Sequence, residues 1–305
     1  MRGGNPDRVP FFEEGIRPDV IATWREQGMP VDVSLRELFP FDRRVEIVPE
    51  LLPEEWPDSA AGLKAFHRDL DPADPNRQPA EWPQSGSGES ILLRVHRGLY
   101  QTLGVTGWSR FAEVNLLLKD NPELVKAMLT IHADFAASLI ERVLSKVRID
   151  AAIFSEPISG NSGPLISPKI FSRLIDYSYE PLLDVLHRHG VETIIFRTYA
   201  NSRILLPAVL ERGFNCLWAC ETAVEAMDYM GIRCEYGRDL RLIGGIDVDT
   251  LRLDKESIRH ELRQKLPPLL EQGGFIPLAD GRVRAIVPYK NYVYYRNLLA
   301  EIVGN

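Results

Sequence analysis

The sequence has few cysteines and no long apolar run. Only three cysteines occur among 305 residues, all within residues 216–234, and an odd number of thiols argues against a disulfide-stabilised secreted domain. No stretch approaches the ~20 consecutive apolar residues that a membrane-spanning helix needs, and the first residues contain no apolar signal segment. We therefore expect a soluble, cytoplasmic protein without a membrane partner.

Blocks of positive charge are also missing. The chain has 36 Lys and Arg against 43 Asp and Glu, a net charge of −7, and its basic residues are spread along the sequence. A nucleic-acid partner is therefore not expected. No Gly-x-Gly-x-x-Gly segment follows the first predicted strand, which argues against a dinucleotide-binding fold.

The sequence does contain short apolar runs that alternate with helical patterns. The clearest runs predict strands at residues 91–95, 151–156, 192–198, 215–218, 240–243 and 275–278. The most secure helix starts at Asn121, with Pro122 in its first position, and extends to about Val147. A short strand ending in a glycine is predicted at residues 8–15, and a proline-rich surface excursion covers residues 50–90.

Alternating strands and helices predict parallel strands. The pattern alone allows a closed barrel or an open, doubly wound sheet, and the missing glycine motif favours the barrel. We predict one α/β domain over residues 1–305, a (β/α)8 TIM-type barrel with an irregular N-terminal excursion. About seven strands are clear, and we expect the eighth in the less regular N-terminal half.

Five segments, in the same order along the chain, give this sequence a family resemblance. Residues 238–247 (Arg-Asp-Leu-Arg-Leu-Ile-Gly-Gly-Ile-Asp) resemble the late barrel strand of the uroporphyrinogen decarboxylase superfamily, which includes cobalamin-linked methyltransferases. The other segments that match this superfamily are residues 8–13, 163–168, 273–280 and 291–295. The resemblance implies a barrel enzyme, and a homodimer would be ordinary for such a protein.

The chain departs from the superfamily at the residues that define its best-known activities. Uroporphyrinogen decarboxylases carry an arginine-rich segment after the first strand, whereas residues 13–17 here read Glu-Glu-Gly-Ile-Arg, which would repel a polyanionic porphyrinogen. The thiol methyltransferases bind zinc through a His-x-Cys pair and a late cysteine. Here those positions hold Arg197, Tyr199 and a residue near Asp280, so a zinc site of that type is doubtful and the metal remains unknown.

Polar residues that close or directly follow a predicted strand are the candidate site residues, because a parallel barrel has its active site at the carboxyl ends of its strands. Seven residues meet this condition: Glu13, Glu156, Arg197, Tyr199, Glu221, Asp247 and Asp280. A solvated loop residue or a helix N-cap is the alternative for each of them. His96, which ends the second predicted strand, is the histidine best placed for proton transfer.

Roles follow from the chemistry of these side chains. Glu13, Glu156, His96 and Asp280 are the candidate catalytic residues, as proton donors, proton acceptors or metal ligands. The candidate substrate-binding residues are Arg197, Tyr199, Trp218, Glu221 and Asp247. For Trp218 packing within the sheet, and for Asp247 capping of the next helix, are the alternatives.

The resemblance leaves three functions open. The first is transfer of a methyl group from a small methylated substrate, such as an aryl methyl ether or a methylated amine, to a separate corrinoid protein. This chain has no corrinoid-binding Asp-x-His-x-x-Gly segment, so a partner would carry the cobalamin. The second function is cofactor-free decarboxylation or lyase chemistry on a small aromatic or heterocyclic acid. The third is a barrel that binds a ligand or partner without catalysis.

Overall fold

The computed structural model describes residues 8–77, 82–83, 88–222 and 225–304, and these residues form two compact units. The first unit holds residues 44–198 and 204–214. The second holds residues 8–43, 199–203 and 215–304. Each unit contains parallel strands and helices, so the α/β class expected from the sequence is confirmed.

The first unit is built on four parallel strands. Their order in the sheet is β1 (Arg44–Ile47), β2 (Ser90–His96), β3 (Ala151–Glu156) and β6 (Ile194–Tyr199). Two short strands after β3 pair antiparallel, namely β4 (Ser159–Gly160) and β5 (Gly163–Pro164). The helices of this unit are α3 (Leu63–Asp69), α4 (Leu99–Thr102), α5 (Trp108–Asp120), α6 (Pro122–Leu144), α7 (Pro168–Ser178), α8 (Glu180–Arg188) and α9 (Leu206–Leu210).

The second unit has three parallel strands, in the order β7 (Cys216–Cys220), β8 (Arg241–Ile246) and β9 (Phe275–Ala279). The register of β8 with β9 runs without a break from Leu242↔Phe275 to Ile246↔Ala279. Its helices are α1 (Pro18–Glu26), α2 (Leu35–Leu38), α10 (Tyr229–Tyr236), α11 (Lys255–Gln272) and α12 (Tyr289–Val303).

Helix α6 forms where the sequence predicts it. The Asn121 side chain accepts a hydrogen bond from the Leu124 N–H (3.2 Å), which satisfies one of the free amides at the helix start. Residues at helical spacing, among them Met128, Phe135 and Leu139, are buried. The helix ends at Leu144, one turn earlier than the pattern indicates.

The beginning and the end of the chain meet in the second unit. Trp24 of α1 is fully buried, with its ring centroid 4.7 Å from that of Tyr292 in α12, and its indole N–H donates to the Val287 carbonyl (2.7 Å). Phe39 packs edge-on against the same tyrosine at 4.8 Å. Residues 18–39 are therefore held by the last helix through aromatic packing.

The strand predicted at residues 8–15 is wrong. Here the backbone bonds to side chains instead of to a strand: the Phe11 N–H donates to the Asp42 carboxylate (2.8 Å), and the Phe12 carbonyl accepts from Arg296 (3.0 Å). The nearest β-contact is a single bridge between Ile16 and Val283. These side chains are distant in sequence, so the local pattern does not report them.

Seven strands in the described part of the chain run parallel, four in one unit and three in the other. The strand in the less regular N-terminal half is Arg44–Ile47, and an eighth parallel strand is absent from the described residues. The closed (β/α)8 barrel and the single domain over residues 1–305 stay predictions. Of the residues described, none lies in a helix that is long and apolar enough to span a bilayer.

Candidate functional site

The second unit brings three of the predicted site residues to one edge of its sheet. Strands β7, β8 and β9 are followed directly by Glu221, Asp247 and Asp280. The Asp280 N–H donates to the Ile246 carbonyl (2.9 Å), and the Glu221 N–H donates to the Asp280 carbonyl. Because parallel strands end at the same edge, these three acidic residues lie side by side, as the strand pattern predicts.

Asp280 binds the segments that follow the two neighbouring strands. One carboxylate oxygen accepts from the Val248 N–H (3.1 Å), and the other accepts from the N–H (3.2 Å) and the hydroxyl of Thr222. The side chain is almost fully buried, and burial raises the pKa of Asp280, while the hydrogen bonds from Thr222 and Val248 act in the opposite direction. Both carboxylate oxygens of Asp280 thus accept hydrogen bonds from residues of this unit.

We predict that Asp280→Asn lowers the free energy of unfolding by about 2 kcal/mol, because the amide nitrogen would face backbone donors and leave at least one of them unpaired. The variant should also speed hydrogen exchange at the Thr222 and Val248 amides. Denaturant unfolding and amide exchange measured by NMR test both effects.

Asp247→Asn is the matched control for this prediction. Asp247 caps the turn that follows β8, where its carboxylate accepts from the Asp249 N–H (2.8 Å) and the Thr250 hydroxyl (3.2 Å). Asparagine is about as good an N-cap as aspartate, so the control should change stability little. Equal stability and equal exchange in Asp280→Asn and in the unmodified protein would contradict the role of Asp280.

Glu221 combines an exposed side chain with a strained backbone. Its φ is 46°, and Ala200, which follows β6, has a φ of 51°. The two strained residues lie close together, since the Ala200 N–H donates to the carbonyl of Cys220 (3.1 Å). Left-handed conformations of residues other than glycine cost about 1 kcal/mol or more and occur often at functional sites. Of the three acidic residues at this edge, Glu221 is the exposed one.

Glu13 lies in a buried ion pair with α12. Its carboxylate accepts from the Tyr292 hydroxyl, from the Arg296 guanidinium (3.3 Å) and from the Glu14 N–H (2.9 Å). The side chains of Glu13 and Arg296 are each 3% exposed. Burial and the neighbouring carboxylate raise the pKa of Tyr292 well above its usual value. This geometry fixes Glu13 in place through three partners.

Glu156 is the corresponding buried carboxyl group of the first unit, at the end of β3. Its two oxygens accept from the Leu99 N–H (3.1 and 3.0 Å), and the Tyr179 hydroxyl donates to Oε2 (2.6 Å). Burial raises the pKa of Glu156 to about 7, although both hydrogen bonds favour the ionised form. The backbone approaches closely because Gly98 has no side chain: a Cβ there would lie 3.2 Å from Glu156 Oε1.

His96 ends β2 in the first unit and is fully buried. The Gly98 N–H donates to Nδ1 (2.9 Å), so Nε2 carries the ring proton and lies 2.8 Å from Ser178 Oγ. Burial lowers the pKa of His96 well below its usual value, with His132 adding to the effect. The imidazole is therefore held neutral between two partners, and proton transfer by His96 stays a prediction.

The remaining candidates lie on strands. Arg197 stands opposite Ser155 in the β3–β6 register and is 8% exposed, Tyr199 is half-buried, and Trp218 is buried opposite Ile243. Their substrate-binding roles stay predictions. Strand β7 contains two buried cysteines, Cys216 and Cys220. Burial raises the pKa of the Cys216 thiol to about 12, which leaves it un-ionised and unreactive at neutral pH.

Sequence reasoning missed Tyr229, whose hydroxyl enters the sheet. It accepts from the Ala219 N–H of β7 (3.0 Å) and donates to the Ile243 carbonyl of β8 (2.5 Å). A Cβ on Gly245 would lie 2.8 Å from the Tyr229 ring, so only glycine fits beside it. The signal was the glycine pair at residues 244–245, directly after the strand predicted at residues 240–243, since glycines allow close approach of another group.

The described residues do not fit the zinc site of the thiol methyltransferases. Among them, no group of three His, Cys, Asp or Glu side chains is arranged to hold a metal ion. At the equivalent positions, Arg197 and Tyr199 supply no zinc ligand of the usual kind, and Asp280 is fully hydrogen-bonded.

Comparisons with known proteins bear on the fold. No family model matches the sequence, and no curated protein is similar to it. Among solved structures, the chain is similar to a methyltransferase from Methanosarcina mazei, with a TM-score of 0.61 and 14% sequence identity, over 97% of this chain and 96% of that one. At this identity the likeness establishes a common fold along nearly the whole of both chains.

Proposed function

We propose that this protein is an enzyme of the uroporphyrinogen decarboxylase superfamily, a closed (β/α)8 barrel that transfers a methyl group from a small methylated substrate to a separate corrinoid protein. The observation that carries the proposal is the fold shared with a methyltransferase over 97% of the chain. The acidic edge formed by Glu221, Asp247 and Asp280 supports it, since it lies at the strand ends where enzymes of this fold react.

The reaction requires an acceptor for the methyl group and a proton for the atom that releases it. The methyl group leaves without the electrons of its bond, so the oxygen or nitrogen that held it keeps the electron pair and takes up a proton. The reduced corrinoid of the partner protein supplies the electron pair for the new bond to carbon. Among the three acidic residues of the edge, Glu221 has the exposed carboxyl group, which can deliver the proton, and the Asp280 carbonyl positions Glu221 by accepting from its N–H. No step uses zinc, because the residues do not fit it.

The test is a spectroscopic assay with a reduced corrinoid protein, or free cob(I)alamin, and a panel of methyl ethers and methylamines. We expect protein-dependent loss of the reduced-corrinoid absorbance with at least one donor. Glu221→Gln should slow the reaction by about 100-fold or more, the usual contribution of a general acid. Glu301→Gln, which changes an exposed carboxylate of α12 outside this edge, serves as the control.

An unchanged corrinoid spectrum across the donor panel would contradict the proposed methyl transfer. Release of carbon dioxide from aromatic or heterocyclic acids without corrinoid would then favour the decarboxylase. If neither reaction occurs, the protein is better described as a ligand-binding barrel without catalytic activity.

A further inference from the structure

A cavity of about 180 Å³ lies in the second unit, between α10, α11 and the carboxyl-terminal part of β8. Its walls are mainly apolar and come from Met227, Tyr229, Met230 and Leu269. Thr222 and Asp247 also line it, so it opens beside the acidic edge at the ends of β7 and β8. None of the functions considered so far assigns a role to this cavity.

The cavity has a fixed wall because Tyr229 is inserted between two strands. Its hydroxyl bonds to Ala219 of β7 and Ile243 of β8, and its ring lies against the bare backbone of Gly245. Three groups thus hold the ring in one position. A cavity with such a wall is formed before a ligand arrives, which lowers the conformational cost of binding.

The charged groups of the cavity differ in how fully they are engaged. The Asp228 carboxylate accepts from the Met230 N–H (3.2 Å) and the Gly231 N–H (2.8 Å), and Asp247 caps its own turn. Both carboxylates face the amides at the start of a helical turn, which offset their charge. Lys265 donates to Glu261 (2.5 Å), but an ammonium group has three N–H donors, so it can also donate to a ligand oxygen.

We propose that this cavity binds an aromatic ring with an oxygen substituent, so that aryl methyl ethers are the substrate class of the methyl transfer proposed above, on which this inference rests. A dry, apolar cavity of about 150 Å³ can hold benzene, so this volume accommodates one six-membered ring with little space left over. The apolar wall takes the ring, and Lys265 donates to the oxygen; Thr222, which lines the same cavity, directly follows Glu221, the proton donor proposed above. A methylated ammonium ion would instead bring a cation next to Lys265.

Ligand binding without any corrinoid tests this inference independently of methyl transfer. Anisole, phenol and tetramethylammonium are titrated into the full-length protein, and binding is followed by calorimetry and by NMR shifts of the methionine methyl groups. We expect saturable binding of anisole and phenol, large shifts at Met227 and Met230, and no saturable binding of tetramethylammonium.

Two substitutions make the test specific for this cavity. Met230→Phe fills the cavity from a half-buried position and should weaken anisole binding by about tenfold or more, whereas Met230→Leu keeps the volume and should bind as before. Lys265→Met should weaken binding of phenol but not of toluene. Circular dichroism establishes that each variant is folded.

Three binding results would overturn the inference: no aromatic binding, tighter binding of tetramethylammonium than of anisole, or unchanged anisole affinity in folded Met230→Phe. Methyl transfer from methylamines alone would overturn the substrate class while leaving the proposed function intact. Aromatic binding at this cavity without any methyl transfer would contradict the proposed function and would leave the cavity assignment standing.

Discussion

Arg296→Met should lower the free energy of unfolding by about 3–5 kcal/mol, because it leaves the Glu13 carboxylate buried without its cation. Both side chains of this ion pair are 3% exposed, so water cannot replace the lost partner. Arg296 also donates to the carbonyls of Phe12 (3.0 Å) and Pro40 (2.9 Å), and these acceptors would lose their donor as well. Guanidinium unfolding followed by fluorescence and circular dichroism measures the change.

The control for this prediction is an exposed ion pair in the same unit. Arg263 lies 2.9 Å from Glu301, with side chains that are 56% and 67% exposed, so Arg263→Met should cost no more than about 1 kcal/mol. The double variant Glu13→Gln/Arg296→Met should recover part of the lost free energy of unfolding, since it also removes the buried, unpaired negative charge of Glu13. Similar losses for Arg296→Met and Arg263→Met would contradict the importance of the buried pair.

The second large effect concerns Glu156 and pH. Burial raises the pKa of Glu156 from 4.5 to about 7, so the folded state binds this proton more tightly than the unfolded chain does. The stabilising contribution is fully present below pH 4.5 and is lost as pH rises towards 7. A shift of this size corresponds to about 3 kcal/mol.

Comparison of the protein with Glu156→Gln isolates this contribution. Other groups with shifted pKa values also contribute to the pH dependence of stability, among them Asp280 with a raised pKa and His132 with a pKa lowered to about 4. Only the difference between the two unfolding curves, measured from pH 4 to pH 8, therefore reports Glu156. The difference in free energy of unfolding between the protein and Glu156→Gln should change by about 3 kcal/mol across this range. The exposed control Glu301→Gln should show no such trend. If the difference in free energy of unfolding between the protein and Glu156→Gln does not change with pH, the raised pKa of Glu156 is contradicted.

Much of the fold could be predicted because its signals are local. Six of the predicted strands are present within a few residues of the expected positions, since each is an apolar run bounded by polar residues. The start of α6 at Asn121 follows from two adjacent residues. By contrast, Arg44–Ile47 has only four residues, two of them charged, which is too short for a reliable pattern.

The sequence predicts that three acidic residues lie at one sheet edge, but it does not predict the hydrogen bonds that their side chains make. Glu221, Asp247 and Asp280 follow strands, and parallel strands bring them to one edge. Whether a carboxylate is open to a ligand depends on its partners, and these are remote: Tyr292 and Arg296 lie 279 and 283 residues from Glu13. Thr222, which donates two hydrogen bonds to the Asp280 carboxylate, is 58 residues away from it in sequence. No local pattern reports such contacts, so the fixed positions of Glu13 and Asp280 emerged only from the structure.

The packing of Trp24 and Phe39 against Tyr292 has a consequence for biosynthesis. Trp24 and Phe39 are translated more than 250 residues before Tyr292, and at about 5–20 residues per second this separation corresponds to roughly 13 to 54 seconds. Throughout that interval the indole and phenyl rings of the nascent chain lack their final partner. Chaperones that bind exposed aromatic segments should therefore associate with ribosome-bound chains that end before α12 and dissociate once this helix is complete.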